Sequence, residues 1–218
     1  MPDSPDFRRL HDDENRDFSS FLHTLPAEDW ERPSLCTGWR VRDVVGHILD
    51  GNELKVWAVP VRLARYGFSS NRSGQAYSIA RAEGRTPEQL LHDFDTRDAW
   101  AGSCRIFPAR LTLLDRLVHH QDIRRALDRP RDVPAERTAP LLDHLPKMGS
   151  VFRSKQRMRG LHFETTDVAW SWGNGNANGS AVVRGPAEAV LMATLGRDAA
   201  LDDCEGDGVP ILRGRCVD

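Results

Sequence analysis

The stretch Asp115-Arg116-Leu117-Val118-His119-His120-Gln121-Asp122-Ile123-Arg124-Arg125-Ala126-Leu127 carries an apolar pattern and an acid–histidine pattern at once. Leu111, Leu114, Leu117 and Val118 recur at helical spacing, so a helix is expected from Pro108 to about Leu127 with these residues on its buried side. Asp115 and His119 are four apart, which puts both side chains on one face, and Asp122 continues that face one turn on. His120 points about 100° away and is expected at the surface or toward a substrate. An acid and a histidine at this spacing are often no more than a helix-surface hydrogen bond or ion pair, contributing roughly 0.2–0.5 kcal/mol. Their meaning depends on what another helix brings opposite them.

A second helix is expected to start near Arg40 and to end or kink at Pro60. Within Trp39-Arg40-Val41-Arg42-Asp43-Val44-Val45-Gly46-His47-Ile48-Leu49, the residues Val41, Val44, Val45, Ile48 and Leu49 form its apolar stripe, and His47 lies beside it. A single histidine there is commonly a core or boundary residue. Asp43 and Asp50 border His47 and either can orient its ring, although Asp43 also suits the positive end of a helix as a first-turn acid. The two helices together supply His47, Asp115 and His119. Three protein ligands with open positions is the layout of a catalytic divalent-metal site, and bundle cores build such sites from facing helices.

Working outward, Phe7, Leu10, Phe18, Phe21, Leu22 and Leu25 give a helix over about 5–25, and 27–38 reads as a loop. Residues 67–84 are polar and contain glycine, so they are expected to be irregular. Thr86-Pro87-Glu88-Gln89 is a capping box opening a helix over about 87–102. A helix with possible kinks at Pro140 and Pro146 runs to about Arg157. Beyond Met158 the pattern alternates: strands are expected at 161–165, 168–172 and 180–183, a Gly/Asn turn at 173–179, a short helix at 186–195 and an edge strand at Ile211-Leu212. The fold class is therefore mainly α, a helical bundle over 1–157 followed by a small α+β unit over 158–218.

The 218 residues carry 30 Lys+Arg against 32 Asp+Glu, a net charge of −2 that lacks the basic excess of a general nucleic-acid binder. No run approaches the roughly 18 apolar residues of a membrane span, and the polar start, Met1 to Leu10, does not read as an export signal. Cys36, Cys104, Cys204 and Cys216 form no Cys-x-x-Cys pair, so four free thiols in a reducing cytoplasm are expected. Cys36 reads as a packed loop cysteine, with a reactive thiol as the alternative.

The second-helix stretch, preceded by Cys36-Thr37-Gly38, resembles the N-terminal motif of the mycothiol-dependent maleylpyruvate isomerase family, and 115–127 resembles its second motif. Gly160-Leu161, Thr166-Asp167, Trp170-Ser171-Trp172-Gly173, Arg184-Gly185-Pro186 and Leu195-Gly196-Arg197 resemble its C-terminal pattern. The resemblance implies a DinB-like four-helix bundle holding zinc or a similar divalent ion on His47, Asp115 and His119. It also implies mycothiol as the low-molecular-weight thiol cosubstrate and an electrophilic small molecule as substrate. The family's isomerase carries glutamate where Asp115 stands, and relatives often place a Ser/Thr cap where Arg40 stands. Asp122 and Arg197 are the expected catalytic groups, and Trp39 and Arg184 the expected cosubstrate-binding groups. For the tryptophan, core packing is the alternative; for the two arginines it is solvated surface charge. A non-catalytic small-molecule-binding or metal-independent protein on the same fold is the competing functional reading.

Overall fold

Asp6 opens the first helix, its carboxylate accepting from the backbone N–H of Arg8 and Arg9, and the sixteen residues Phe7–Leu22 form α1. The computed structural model describes residues 5–149, 152–173 and 180–216, and its contacts divide the chain into one unit over 1–131 and a second over 132–218. In the first unit, α2 is Val41–Glu53, α3 Val59–Arg65, α4 Ser70–Ala82, α5 Pro87–Thr96 and α6 Ala109–Ala126. The capping box opens α5 as read: Gln89 Oε1 accepts from the Thr86 N–H at 2.9 Å and Thr86 Oγ1 accepts from the Gln89 N–H at 3.3 Å. Helix α2 packs against α4, α5 and α6, and α1 packs against α5 and α6. Phe18, Leu22, Val44, Val45, Leu49, Leu90 and Ile123 are buried in the core between them. The result is the mainly helical, DinB-like bundle.

Residues 67–84, expected to be irregular, instead contain helix α4. It lacks an apolar stripe because it buries small and polar residues, Ser73, Ser78, Arg81 and Ala82. Close approach replaces apolar burial as its packing principle. A Cβ on Gly46 of α2 would stand 2.4 Å from the Ser78 carbonyl oxygen and 3.1 Å from Ala82 Cβ. Gly46→Ala is therefore expected to force α2 and α4 apart and cost about 1–3 kcal/mol, despite alanine's better helix propensity. A chemical-denaturation midpoint unchanged from wild type would contradict this.

Arg40 begins α2 without a serine or threonine. Asp43 Oδ2 accepts from the Arg40 backbone N–H and from its Nε, both at 2.9 Å, so the first-turn acid caps the helix and clamps the arginine. Pro60 does not end α2, which stops at Glu53; it sits in the first turn of α3, where its missing N–H costs nothing.

The second unit holds α7 (Ala135–Leu142), α8 (Ser154–Arg157), α9 (Ala187–Thr194) and α10 (Val209–Arg213). Its strands are β1 (Leu161–Thr165), β2 (Ser171–Trp172) and β3 (Ala181–Gly185), ordered β2-β1-β3. Strand β1 pairs antiparallel with β2, Phe163 opposite Trp172, and parallel with β3, Phe163 opposite Val183. Helix α9 packs on the sheet and on α7, which is why the contact boundary falls after Arg131 and not near 157. The helix expected to reach Arg157 breaks into α7, a 3-10 turn at Leu145–Lys147 containing Pro146, and α8. Ile211 and Leu212 lie in α10, not in an edge strand: Leu212 is buried and Ile211 exposed, a one-sided burial that a helix of this length satisfies. Residues 174–179 of the expected turn lie outside the described residues. The described residues contain no disulfide, and among them no helix is long and apolar enough to cross a membrane.

Candidate metal centre

Helices α2 and α6 bring the three residues read from the sequence to one point. Asp115 Oδ1 lies 3.5 Å from His47 Nε2 and 3.5 Å from His119 Nε2, and all three donor atoms fall within 4.8 Å of one another. Ligands about 2.1 Å from a tetrahedral ion stand about 3.4 Å apart. The separations to Asp115 match that spacing, so the shorter aspartate arm reaches both imidazoles. The imidazole rings meet edge-on at 70°, with centroids 4.8 Å apart. His47 and Asp115 are partly exposed, at 31% and 45%, whereas the His119 side chain is 10% exposed, so the cluster opens on the His47–Asp115 side.

Hydrogen-bond geometry assigns roles to the ring nitrogens. The Ser78 hydroxyl donates to the Gly74 carbonyl at 2.6 Å, so its oxygen is left to accept from His47 Nδ1 at 3.3 Å. His119 Nδ1 donates to Asp122 Oδ2 at 3.0 Å. Both Nε2 atoms therefore face Asp115. A metal-binding histidine characteristically donates its other ring N–H to a fixed acceptor in this way. Ser78→Ala is expected to weaken metal binding by about 10-fold or more, read by competition with a chromogenic chelator; unchanged affinity would mean that Ser78 does not hold His47.

The charges fit a cation. Partial removal from water opposes ionisation of Asp115, yet the charges and hydrogen bonds of His119 and His47 hold its carboxyl well below the usual range. Burial likewise opposes protonation of His119, but Asp115, Cys36 and Asp122 raise its pKa well above the ordinary histidine value. A divalent ion and a proton would therefore compete for the same imidazole lone pair.

The turn before α2 walls the cluster. Gly38 adopts φ +78, and a Cβ there would sit 2.7 Å from Gln75 Nε2. The following Trp39 places its ring 5.2 Å from that of His47 and 6.0 Å from that of His119. Leu35 N–H donates to the Asp122 carbonyl at 3.1 Å, tying the turn to α6. The Cys36 thiol donates to Asp122 Oδ2 at 3.0 Å and lies 3.6 Å from His119 Nδ1. Cys36, Asp122 and His119 thus form a second cluster of donors, whose short separations are those of an N–H and an S–H on one carboxylate.

Several expected neighbours lie elsewhere. Asp43 is held by Arg40 and Asp50 by Arg62, so neither orients His47; Ser78, on the helix the sequence did not disclose, does. Asp122 is fully buried behind His119. His120 is also fully buried, contrary to its expected exposure. It donates from Nδ1 to Glu14 Oε1 at 2.7 Å, accepts at Nε2 from Arg124 Nε at 2.8 Å and stacks on Phe18 at 4.4 Å. In the second unit, Arg184 is half exposed and paired with Glu205 at 3.2 Å, and Arg197 Nη1 donates to the Leu195 carbonyl at 3.2 Å.

Fold and cluster define a helical bundle presenting two imidazoles and a carboxylate at a shared, partly open point. The model of the mycothiol maleylpyruvate isomerase N-terminal domain matches residues 11–124, just over half of the chain, and the chain belongs to that family. A crystal structure of a mycothiol-dependent maleylpyruvate isomerase, a histidine-to-alanine mutant, is similar at TM-score 0.59 and 13% identity, covering 92% of this chain and 91% of that one. At that identity the likeness is one of fold. A search of curated proteins found no match.

Proposed function

We propose that His47, Asp115 and His119 bind a divalent ion, zinc by the character of the donors, and that the protein transfers or adds a low-molecular-weight thiol to an electrophilic small molecule. Isomerisation through a transient thiol adduct is one form of the same reaction. The observation that carries this reading is the convergence of two Nε2 lone pairs and one carboxylate oxygen at the spacing of a tetrahedral ion. Mycothiol is the proposed thiol because the family and its structural relative bear that name. A reducing cytoplasm, where cysteine thiols stay reduced, is the proposed setting.

When bound, the ion supplies Lewis acidity that lowers the pKa of a coordinated thiol from its free value of about 8.5. The protein's own residues prepare the site. Ser78 and Asp122 keep the Nδ1 protons of His47 and His119 turned away, so both Nε2 atoms remain donors. Asp115 stays anionic and offsets the charge of the ion. Trp39 stands tilted beside both imidazoles and adds an apolar wall next to them. Asp122 is a positioning residue: it holds His119 from behind and does not touch the reacting atoms.

Calorimetric titration of metal-loaded protein with mycothiol, beside His47→Ala, tests the reading. Saturable binding to wild type that is lost in the variant is expected. No binding at full metal occupancy, or binding that survives both metal removal and His47→Ala, would overturn the thiol-activating role and favour a non-catalytic pocket.

A further inference from the structure

One turn along the bundle from the buried His120–Glu14 pair, α6 faces α1 again with a different outcome. Arg116 is 2% exposed, Thr112 one turn before it 6%, and His11 across on α1 0%. Arg116 Nε and Nη1, Thr112 Oγ1 and His11 Nε2 are all buried without a hydrogen-bond partner. Two other arginines that leave a buried nitrogen unbonded differ. Arg42, only partly buried, is paired with Glu31, and the buried Arg81 with Glu53 and Asp93. Among the described residues Arg116 makes no hydrogen bond or ion pair. Its nearest organised contact is the Phe94 ring, 5.4 Å from the guanidinium carbon.

The acids that might serve it are committed elsewhere. Glu14 accepts from His120 and Arg131, and Asp115 turns toward His47 and His119. Asp12 accepts from Trp100 Nε1 at 2.7 Å and stands 3.1 Å from His11 Nδ1. The Trp100 ring covers His11 at 4.4 Å. Asp115 and Glu14 favour the Arg116 charge from a distance, but burial outweighs them. A charge taken out of water with no hydrogen-bonded partner costs several kcal/mol, and a guanidinium fork matches a carboxylate bidentately.

We propose that Arg116, flanked by Thr112 and His11 between α1 and α6, is an internal binding site for a carboxylate, one residue along the chain from Asp115. The guanidinium supplies the charge and the fork. The Thr112 hydroxyl supplies a further donor. Phe94 lies beside the guanidinium and Trp100 against His11, which gives the site apolar neighbours. The inference stands on these side chains alone and does not require the metal reading, although a carboxylate held here on a larger molecule would lie close to the residues proposed to bind the ion.

The test is carboxylate binding followed by the Nε–H cross-peak of Arg116 in ¹H–¹⁵N spectra and by melting temperature. Acetate, succinate and chloride are added to metal-loaded and to chelator-treated protein, wild type and Arg116→Met. Methionine replaces an uncompensated buried charge with apolar volume, a change that proteins commonly tolerate or gain from, so the variant should fold. The proposal expects a saturable shift of the cross-peak and a rise of about 3 °C or more at saturating carboxylate. Both should occur with and without metal, and the rise should be absent in Arg116→Met. Acetate binding alone marks a free anion as sufficient; succinate binding as well shows room for a carboxylate carried on a carbon chain. An unmoved cross-peak, an equal response to chloride, or the same melting shift in Arg116→Met overturns the site. Because the chelator-treated arm contains no metal, failure of the metal reading leaves this result readable.

Discussion

Asp115→Ala protein is expected to purify folded and nearly metal-free, while His120→Ala keeps its metal. Asp115 Oδ1 is the atom that faces both Nε2 donors, at 3.5 Å each, and the nearby described carboxylates are engaged elsewhere: Asp122 is turned to Nδ1 of His119 and Asp50 to Arg62. Removing an outer hydrogen-bond partner of a ligand costs about 10–100-fold in metal affinity, so loss of a ligand itself should exceed about 100-fold. His120 lies next to a ligand in sequence, but its nitrogens are engaged with Glu14 and Arg124. Elemental analysis of both variants after identical loading and desalting reads the difference. Equal metal loss in the two would mean that the α6 ligand has been assigned to the wrong face.

Glu14→Ala is expected to be the most destabilising single change in the bundle, at about 3–5 kcal/mol, because it strands a buried charge. Glu14 is fully buried between His120, at 2.7 Å, and Arg131. Burial pushes its pKa up, but the hydrogen bond from His120 and the charge of Arg131 outweigh this and bring it down to about 2. Its folded pKa is thus below its ordinary value of 4.5. The stabilisation is present above that value and is lost as pH falls toward 2, since the unfolded chain binds the proton first. His11 acts in the same direction. Burial, and then the charge of Arg116, lower its pKa from 6.5 to about 4, so the unfolded state takes up its proton first as pH falls through that range. Urea unfolding of wild type should therefore show stability falling from about pH 6.5 downward. Glu14→Ala should start lower and lose the part of the slope below pH 4.5. A wild-type stability flat between pH 6.5 and 3 would contradict the assignment.

Much of this site was legible because helical spacing is a geometric constraint. Asp115 and His119 at i and i+4 must share a face, and His47 beside an apolar stripe must approach another helix. Ser78 was not legible, because its helix packs by close approach at Gly46 and Ala82 and offers no apolar period to read. Asp43 had two roles open to it, and the structure gives it the cap, where Arg40 reinforces it. His120, expected at the surface or toward a substrate, is instead buried by partners more than a hundred residues away at Glu14 and Phe18, a tertiary fact that one helix does not encode. The same holds for the second unit: α7 belongs there because it packs on α9, which local pattern does not reveal.

X-ray absorption at the zinc edge of thiol-free, zinc-loaded wild-type protein reads the ligand set itself. A first shell of nitrogen and oxygen only is expected, at about 2.0–2.2 Å, with the outer-shell scattering of two imidazoles. A sulfur neighbour at about 2.3 Å, placing the ion on Cys36 with Asp122, or a protein that retains no zinc after desalting, would contradict it.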